Sequence, residues 1–130
     1  MSSIDFLLES DAIISIEARG FIFGSAIALC TSKPLIFARK PGKLPGELVS
    51  KSYELEYGEN SLSIQKKNLD KFDSFVIVDD LLATGGTVKC VYEMLNGLNK
   101  EITGLSVVVE LEEFDARSKF PFEVSSQVKF

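Results

Sequence analysis

The residues best suited to chemistry in this 130-residue chain stand together in one stretch, VIVDDLLATGGT, from Val76 to Thr87. An apolar run leads into two adjacent acids, Asp79 and Asp80, and then through Ala83 into a Thr84-Gly85-Gly86-Thr87 turn. An amphipathic helix is predicted to start near Val88. Where a strand ends and a helix begins, free backbone amides and the helix dipole favour an anion. Gly85 and Gly86 let the backbone take positive φ and approach a ligand closely, while Thr84 and Thr87 add hydroxyls. Such a cradle suits a phosphate monoester, and the two carboxylates just upstream can accept hydrogen bonds from a vicinal diol of the same ligand. On the residues alone, an alternative is that the acids cap the next turn and the glycines merely close it. The spacing fits neither GxxxxGK[ST] nor GxGxxG, which excludes the two commonest glycine-rich nucleotide loops.

Two further stretches carry anion-binding residues. In EARG, Glu17 to Gly20, a tight turn ending in glycine exposes the amides around Ala18 and Gly20, and Arg19 offers a forked donor for phosphate oxygens. The alternative is a surface ion pair between Glu17 and Arg19. In RKPGKLPG, Arg39 to Gly46, three cations stand among two prolines and two glycines, a composition that neither continues a strand nor starts a helix. Read alone it is a solvated loop. In a chain of net charge −5, with 14 basic and 19 acidic residues, it also concentrates Arg39, Lys40 and Lys43 as a local receiver for anions.

Composition narrows the remaining chemistry. The chain has no histidine, which excludes Ser-His and Cys-His nucleophile pairs and His-ligated zinc. Cys30 and Cys90 lie far apart without a CxxC pattern, and both read as buried structural thiols. The acidic balance opposes generic binding to nucleic acid or an anionic membrane. The longest mostly apolar stretch, Phe21 to Cys30, is about half of the ~20 residues a spanning helix needs, so no membrane segment is expected. MSSIDFLLESD lacks the basic start of a secretory signal, and a cytoplasmic protein is expected.

These candidate groups need a scaffold. Apolar runs at Ala12–Ile16, Leu35–Ala38, Phe75–Val78 and Leu105–Val109 predict buried strands. Phe23, Ile27 and Cys30 share one helical face between the first two. Val88, Val91, Tyr92, Leu95 and Leu98 mark a second helix after the third. Alternation of strands and helices predicts an α/β fold: a parallel twisted sheet with flanking helices. Ser52–Tyr57 and Ser61–Gln65, on either side of Gly58-Glu59-Asn60, predict an inserted β-hairpin, and Phe122–Gln127 adds a last edge strand. The acids Glu110, Glu112, Glu113 and Asp115 read as the solvated end of the last central strand. Length and composition predict one domain over residues 1–130.

With these residues in view, the sequence resembles the type I phosphoribosyltransferases. VIVDDLLATGGT is similar to their 5-phosphoribosyl-1-pyrophosphate (PRPP) motif, and its LLATGGT ending to the adenine-specific branch. EARGFIFG, RKPGKLPG and YELEYG follow the family's order, and VVVELEEFDAR is similar too. The resemblance implies transfer of the phosphoribosyl group of PRPP to adenine, giving AMP and pyrophosphate in purine salvage, by a homodimer. It assigns Asp79, Asp80 and Ala83 to Thr87 to the ribose and its 5′-phosphate. It assigns Ala18, Arg19, Gly20, Arg39, Lys40 and Lys43 to the pyrophosphate. Glu56 is implied as the acid/base residue on the hairpin, with Tyr57 sealing the closed site. On the sequence alone Glu56 equally reads as a solvent-facing strand carboxylate. Mg²⁺ is the implied cofactor, held mainly by PRPP rather than by side chains. The family carries a base-covering hood before EARG that MSSIDFLLESD does not resemble. The hood is therefore expected to be absent or reduced and activity impaired, the alternative function being a PRPP- or nucleotide-binding module without transferase activity.

Overall fold

The computed structural model describes residues 9–17, 19–40, 42, 44–55 and 58–130, with the backbone alone at 53–55 and 58–60. Its centre is a five-stranded sheet in the order β2-β1-β5-β6-β7, formed by β1 (Ala12–Ile16), β2 (Leu35–Ala38), β5 (Ser74–Leu82), β6 (Glu101–Glu110) and β7 (Glu123–Lys129). Every pairing in it is parallel. This is the sheet expected from alternating apolar runs and helices, because a parallel neighbour can be reached only through a crossover. Each strand is longer than or equal to its apolar run. β5 in particular continues past Val78 through both acids to Leu82.

Side chains alternate across the sheet and create two cores. On one face Ile14, Phe75, Ile77, Leu105 and Val107 pack with Val88, Val91 and Leu95 of α3 (Gly86–Gly97). The inserted hairpin, β3 (Leu48–Leu55) and β4 (Gly58–Gln65), adds Leu62 and Ile64 to that core, and α2 (Lys66–Asp70) adds Leu69. Antiparallel register from Leu48 opposite Gln65 to Leu55 opposite Gly58 puts Gly58, Glu59 and Asn60 inside β4. The predicted turn at those three residues is therefore corrected: alternate burial of Leu62 and Ile64 fixes the register, which overrides local turn preference. Cys90 is buried as expected, and burial raises its thiol pKa to about 11.

On the other face α1 (Gly20–Thr31) lies over Ile13, Val76 and Val78. The predicted face of α1 is also corrected. Its buried positions are Gly20 and Gly24, with Ile27 and Ala28 beside them, whereas Phe23 and Cys30 are exposed. Small residues make the contact because the helix sits close on the sheet, with Gly20 against the β5 backbone at Val78 and Asp79 and Gly24 against the Ser15 side chain of β1. A Cβ at Gly24 would stand 2.7 Å from the Cβ of Ser15 and closer still to its hydroxyl oxygen, which is itself tied to the Gly20 carbonyl at 2.6 Å. Among the described residues no helix is long and apolar enough to cross a membrane.

This contact generates a stability prediction. Gly24→Ala forces α1 off the sheet and is expected to cost about 1–3 kcal/mol. Gly97→Ala, where nothing lies within 4 Å of the added Cβ, is expected to leave stability unchanged or slightly raised. Urea unfolding of both variants checks the pair.

Candidate functional site

In an open parallel sheet the ligand crevice lies at the carboxyl ends of the strands. Here β1 and β5 are neighbours, with Ser15 beside Val78, so the turns that follow them face one another. Together with Lys40 after β2 and Leu62 of β4 they enclose a cavity of about 270 Å³. Among the described residues its wall includes Glu17, Arg19, Lys40, Asp79, Asp80 and the whole run from Leu81 to Val88.

Asp79 is the electrostatic centre of this cavity. It is only 8% exposed, and its Oδ1 accepts the Asp80 amide at 2.8 Å. Burial pushes its pKa up to about 8, and the hydrogen bond and negative charge of the Asp80 side chain act in the same direction. Its carboxyl is thus protonated at neutral pH, while Asp80 pairs with Arg19 at 2.8 Å. Arg19 has a 77% exposed side chain and remains open to an incoming anion. The Glu17–Arg19 alternative is replaced by a different pairing. Glu17 accepts Arg39 Nε at 3.1 Å and the Lys40 amide at 3.0 Å. Burial would raise the Glu17 pKa, but these donors outweigh it and hold the group ionised below its usual range. Arg39 also lies 5.6 Å from the centre of the Phe21 ring, so its guanidinium is anchored at the rim.

The Thr84–Thr87 loop closes the cavity. Gly85 caps α3 with φ of 86°, a conformation open to glycine at no steric cost and without a side-chain cap, and the first residues of the helix, Gly86 to Val88, line the cavity. A Cβ at Gly85 would meet the Phe120 ring at 3.1 Å and Ala116 at 3.3 Å. Behind the loop runs a wider groove of about 720 Å³, lined in part by Lys89, Tyr92, Lys119 and Phe120.

Asp79, Asp80, Arg19, Lys40 and Ala83 to Thr87 thus share one cavity, and Gly20 approaches it closely: a Cβ there would stand 3.1 Å from Asp79 Oδ1. Arg39 is turned to Glu17. Ala18, Lys43, Glu56 and Tyr57 lie outside the described residues. Two features were missed. Leu81, between the acids and the loop, leaves 37% of its surface exposed in the cavity, and an apolar residue interrupting a polar motif was its available signal. Glu110 is not solvated: it is 4% exposed and held by a two-point bond to Arg117, at 2.6 and 3.0 Å, and by the Ser126 hydroxyl at 2.9 Å.

The family model of the phosphoribosyl transferase domain matches residues 3–126. Adenine phosphoribosyltransferases of Prochlorococcus marinus strains MIT 9312 and MIT 9211 are 63% and 65% identical over 130 residues, covering 100% of this chain and 76% of each relative. Among solved structures, the adenine phosphoribosyltransferase of Thermoanaerobacter pseudethanolicus is 39% identical with a TM-score of 0.86, over 99% of this chain and 79% of that one. The Saccharomyces cerevisiae enzyme, complexed with an imino-altritol bisphosphate and adenine, is 35% identical with a TM-score of 0.82, over 91% and 67%.

The buried acid predicts a pH signature. Native Asp79 keeps its proton between its ordinary value of 3.8 and about 8, whereas the unfolded chain loses it, so the native state binds more protons and stability falls as pH rises through that window. The contribution approaches ~1.4 kcal/mol per pH unit. Asp79→Asn should remove that slope, and the difference between wild-type and variant unfolding free energies, measured by urea at about pH 5 to about pH 8, should grow steadily. Parallel profiles would show that Asp79 ionises freely.

Proposed function

The chain belongs to the phosphoribosyltransferase domain family, within it to the adenine phosphoribosyltransferases, and from that premise we propose how its cleft moves the phosphoribosyl group from PRPP to adenine. The observation that carries the reading is the sharing of one cavity by an acid pair, an amide-rich loop and two cations. Residues 1–130 act in it as one domain.

The Thr84–Thr87 amides and hydroxyls receive the 5′-phosphate at the start of α3. Asp79 and Asp80 hold the ribose diol, and the proton that burial keeps on Asp79 lets that carboxyl donate as well as accept a hydrogen bond. Arg19, Lys40 and the backbone at Ala18 and Gly20 receive the pyrophosphate, with Arg39 and Lys43 as further cations for it. Leu81 offers the apolar contact for a purine ring. As the purine nitrogen bonds to the anomeric carbon, the bond to pyrophosphate breaks, positive charge develops on the sugar and negative charge on the leaving group. Glu56 takes the proton released from the purine, and Tyr57 helps exclude water. Among the described residues no three acids, cysteines or histidines gather around a metal position, and the carboxyl groups on the cavity wall are those of Glu17, which is engaged by Arg39 and Lys40, and of Asp79 and Asp80. This arrangement suits Mg²⁺ that arrives with PRPP and is held mainly by it, where it would neutralise charge on the pyrophosphate.

Self-association completes the proposal. The outer face of α1 carries Ile22, Phe23, Leu29 and Cys30, with Leu29 84% exposed, and an apolar face of that kind fits a second copy of the chain in a homodimer.

Three measurements test this reading. With Mg²⁺ and PRPP, AMP should form from adenine, and hypoxanthine, guanine and orotate should react on the order of a hundredfold more slowly or not at all. PRPP binding without product from any base would point to a binding module instead. Chelation of Mg²⁺ should abolish turnover and readdition restore it. Leu29→Glu should shift the mass seen by light scattering from dimer to monomer.

A further inference from the structure

The loop that forms one end of the cavity is thin. It separates the 270 Å³ cavity from the 720 Å³ groove behind it, and both are lined by Thr84, Gly85 and Gly86. The groove is walled by Lys51 and Ser52 of β3 and by α3, while the side chains set directly against Thr84 and Gly85 come from the connector between β6 and β7. Lys119 Nζ donates to the Thr84 carbonyl at 3.2 Å, while Phe120 and Ala116 lie against Gly85. Phe120 is stacked on Phe122 at 5.1 Å, which in turn meets Tyr92 of α3 at 5.7 Å.

That connector is short, irregular and made of two single turns, Glu112–Phe114 and Ala116–Lys119, joined at Asp115 with φ of 46°. Such a segment has no ladder of its own to fix its position. Its anchors are the buried Ala116, the Glu112 amide, which donates to the Phe130 carbonyl at 2.7 Å, and Arg117, whose guanidinium is bound at two points by Glu110. Glu110 sits at the end of β6 beside Leu82, the last residue of β5 before the loop, and the Leu111 amide donates to the Leu82 carbonyl at 2.9 Å. The pair therefore references the connector to the same strand end from which the loop departs. The carboxylate of this pair is buried and the guanidinium is partly exposed, so the pair contributes little net stability and its distinctive effect here is geometric.

We propose that Arg117, held by Glu110, is a positioning residue for substrate: it sets Lys119 and Phe120 against the back of the Thr84–Thr87 loop and so fixes the amides that bind the phosphoribosyl 5′-phosphate. This rests on reading that loop as the phosphate cradle. Arg117 itself touches no substrate. Loosening it should weaken the hold on a phosphate group while sparing the base and the chemical step.

The test is steady-state kinetics together with calorimetry using ribose 5-phosphate as probe. Arg117→Gln should raise the KM for PRPP about tenfold, the equivalent of one good hydrogen bond, and weaken ribose 5-phosphate to the same extent, with kcat and the KM for adenine within about twofold of wild type. Arg117→Lys, which keeps the charge and loses the fork, should recover part of the loss. Lys119→Met and Phe120→Leu act on the loop without disturbing the buried carboxylate, and each should raise the same KM a few-fold; they carry the test if Arg117→Gln does not fold. A lower melting temperature with unchanged KM for PRPP in all folded variants would overturn the proposal alone. Failure of the wild-type chain to bind ribose 5-phosphate would overturn the cradle reading and the proposal with it.

Discussion

A carboxylic acid stands in the last part of a central strand, just past the point where one of its two neighbours stops pairing with it, and the site is arranged around the difficulty of keeping it there. β5 lies between β1 and β6, and its register continues through Asp79, opposite Val107. Water reaches the group poorly, so the charge that Asp79 would carry in solution is disfavoured. The proton it retains and the neighbouring Asp80–Arg19 pair follow from that constraint. So does the absence of a side chain at Gly20, whose place the Asp79 carboxyl occupies.

The same economy applies to the cations. Arg19 is opposed by Asp80 and Arg39 by Glu17, in a chain whose net charge is −5. These two arginines thus already have carboxylate partners before any ligand arrives. An anionic ligand gains by exchanging partners rather than by meeting bare positive charge, which limits adventitious binding of other anions.

Much of this was legible in the sequence because β5 and the loop after it are local. Apolar runs of four or five residues, two acids, and a Thr-Gly-Gly-Thr turn are read off without knowing what packs where. Three features resisted for reasons that are tertiary. α1 is apolar on every side, so periodicity could not say which stripe meets the sheet, and the answer was set by small side chains at Gly20 and Gly24. Glu110 looked like one of four surface acids, and only the return of Arg117 from the following turn distinguishes it. Gly58-Glu59-Asn60 has turn composition, but the hairpin register is dictated by Leu62 and Ile64 entering the main core.

The order in which the strands are used also governs how the chain can fold and diversify. Asp11 donates its amide to Ser74, 63 residues away in sequence, and the seam between β1 and β5 joins the two halves of the cleft across that interval. Closing it is a long-range event that must follow formation of the local β5-α3-β6 unit or bring a large entropic barrier forward. The interval holds α1, β2 and the whole hairpin, yet loop entropy grows only logarithmically, so doubling its length would cost about 0.6 kcal/mol. The loops within that interval can therefore change length with little entropic effect on the seam, so the connections between its elements are free to vary on a sheet that stays the same.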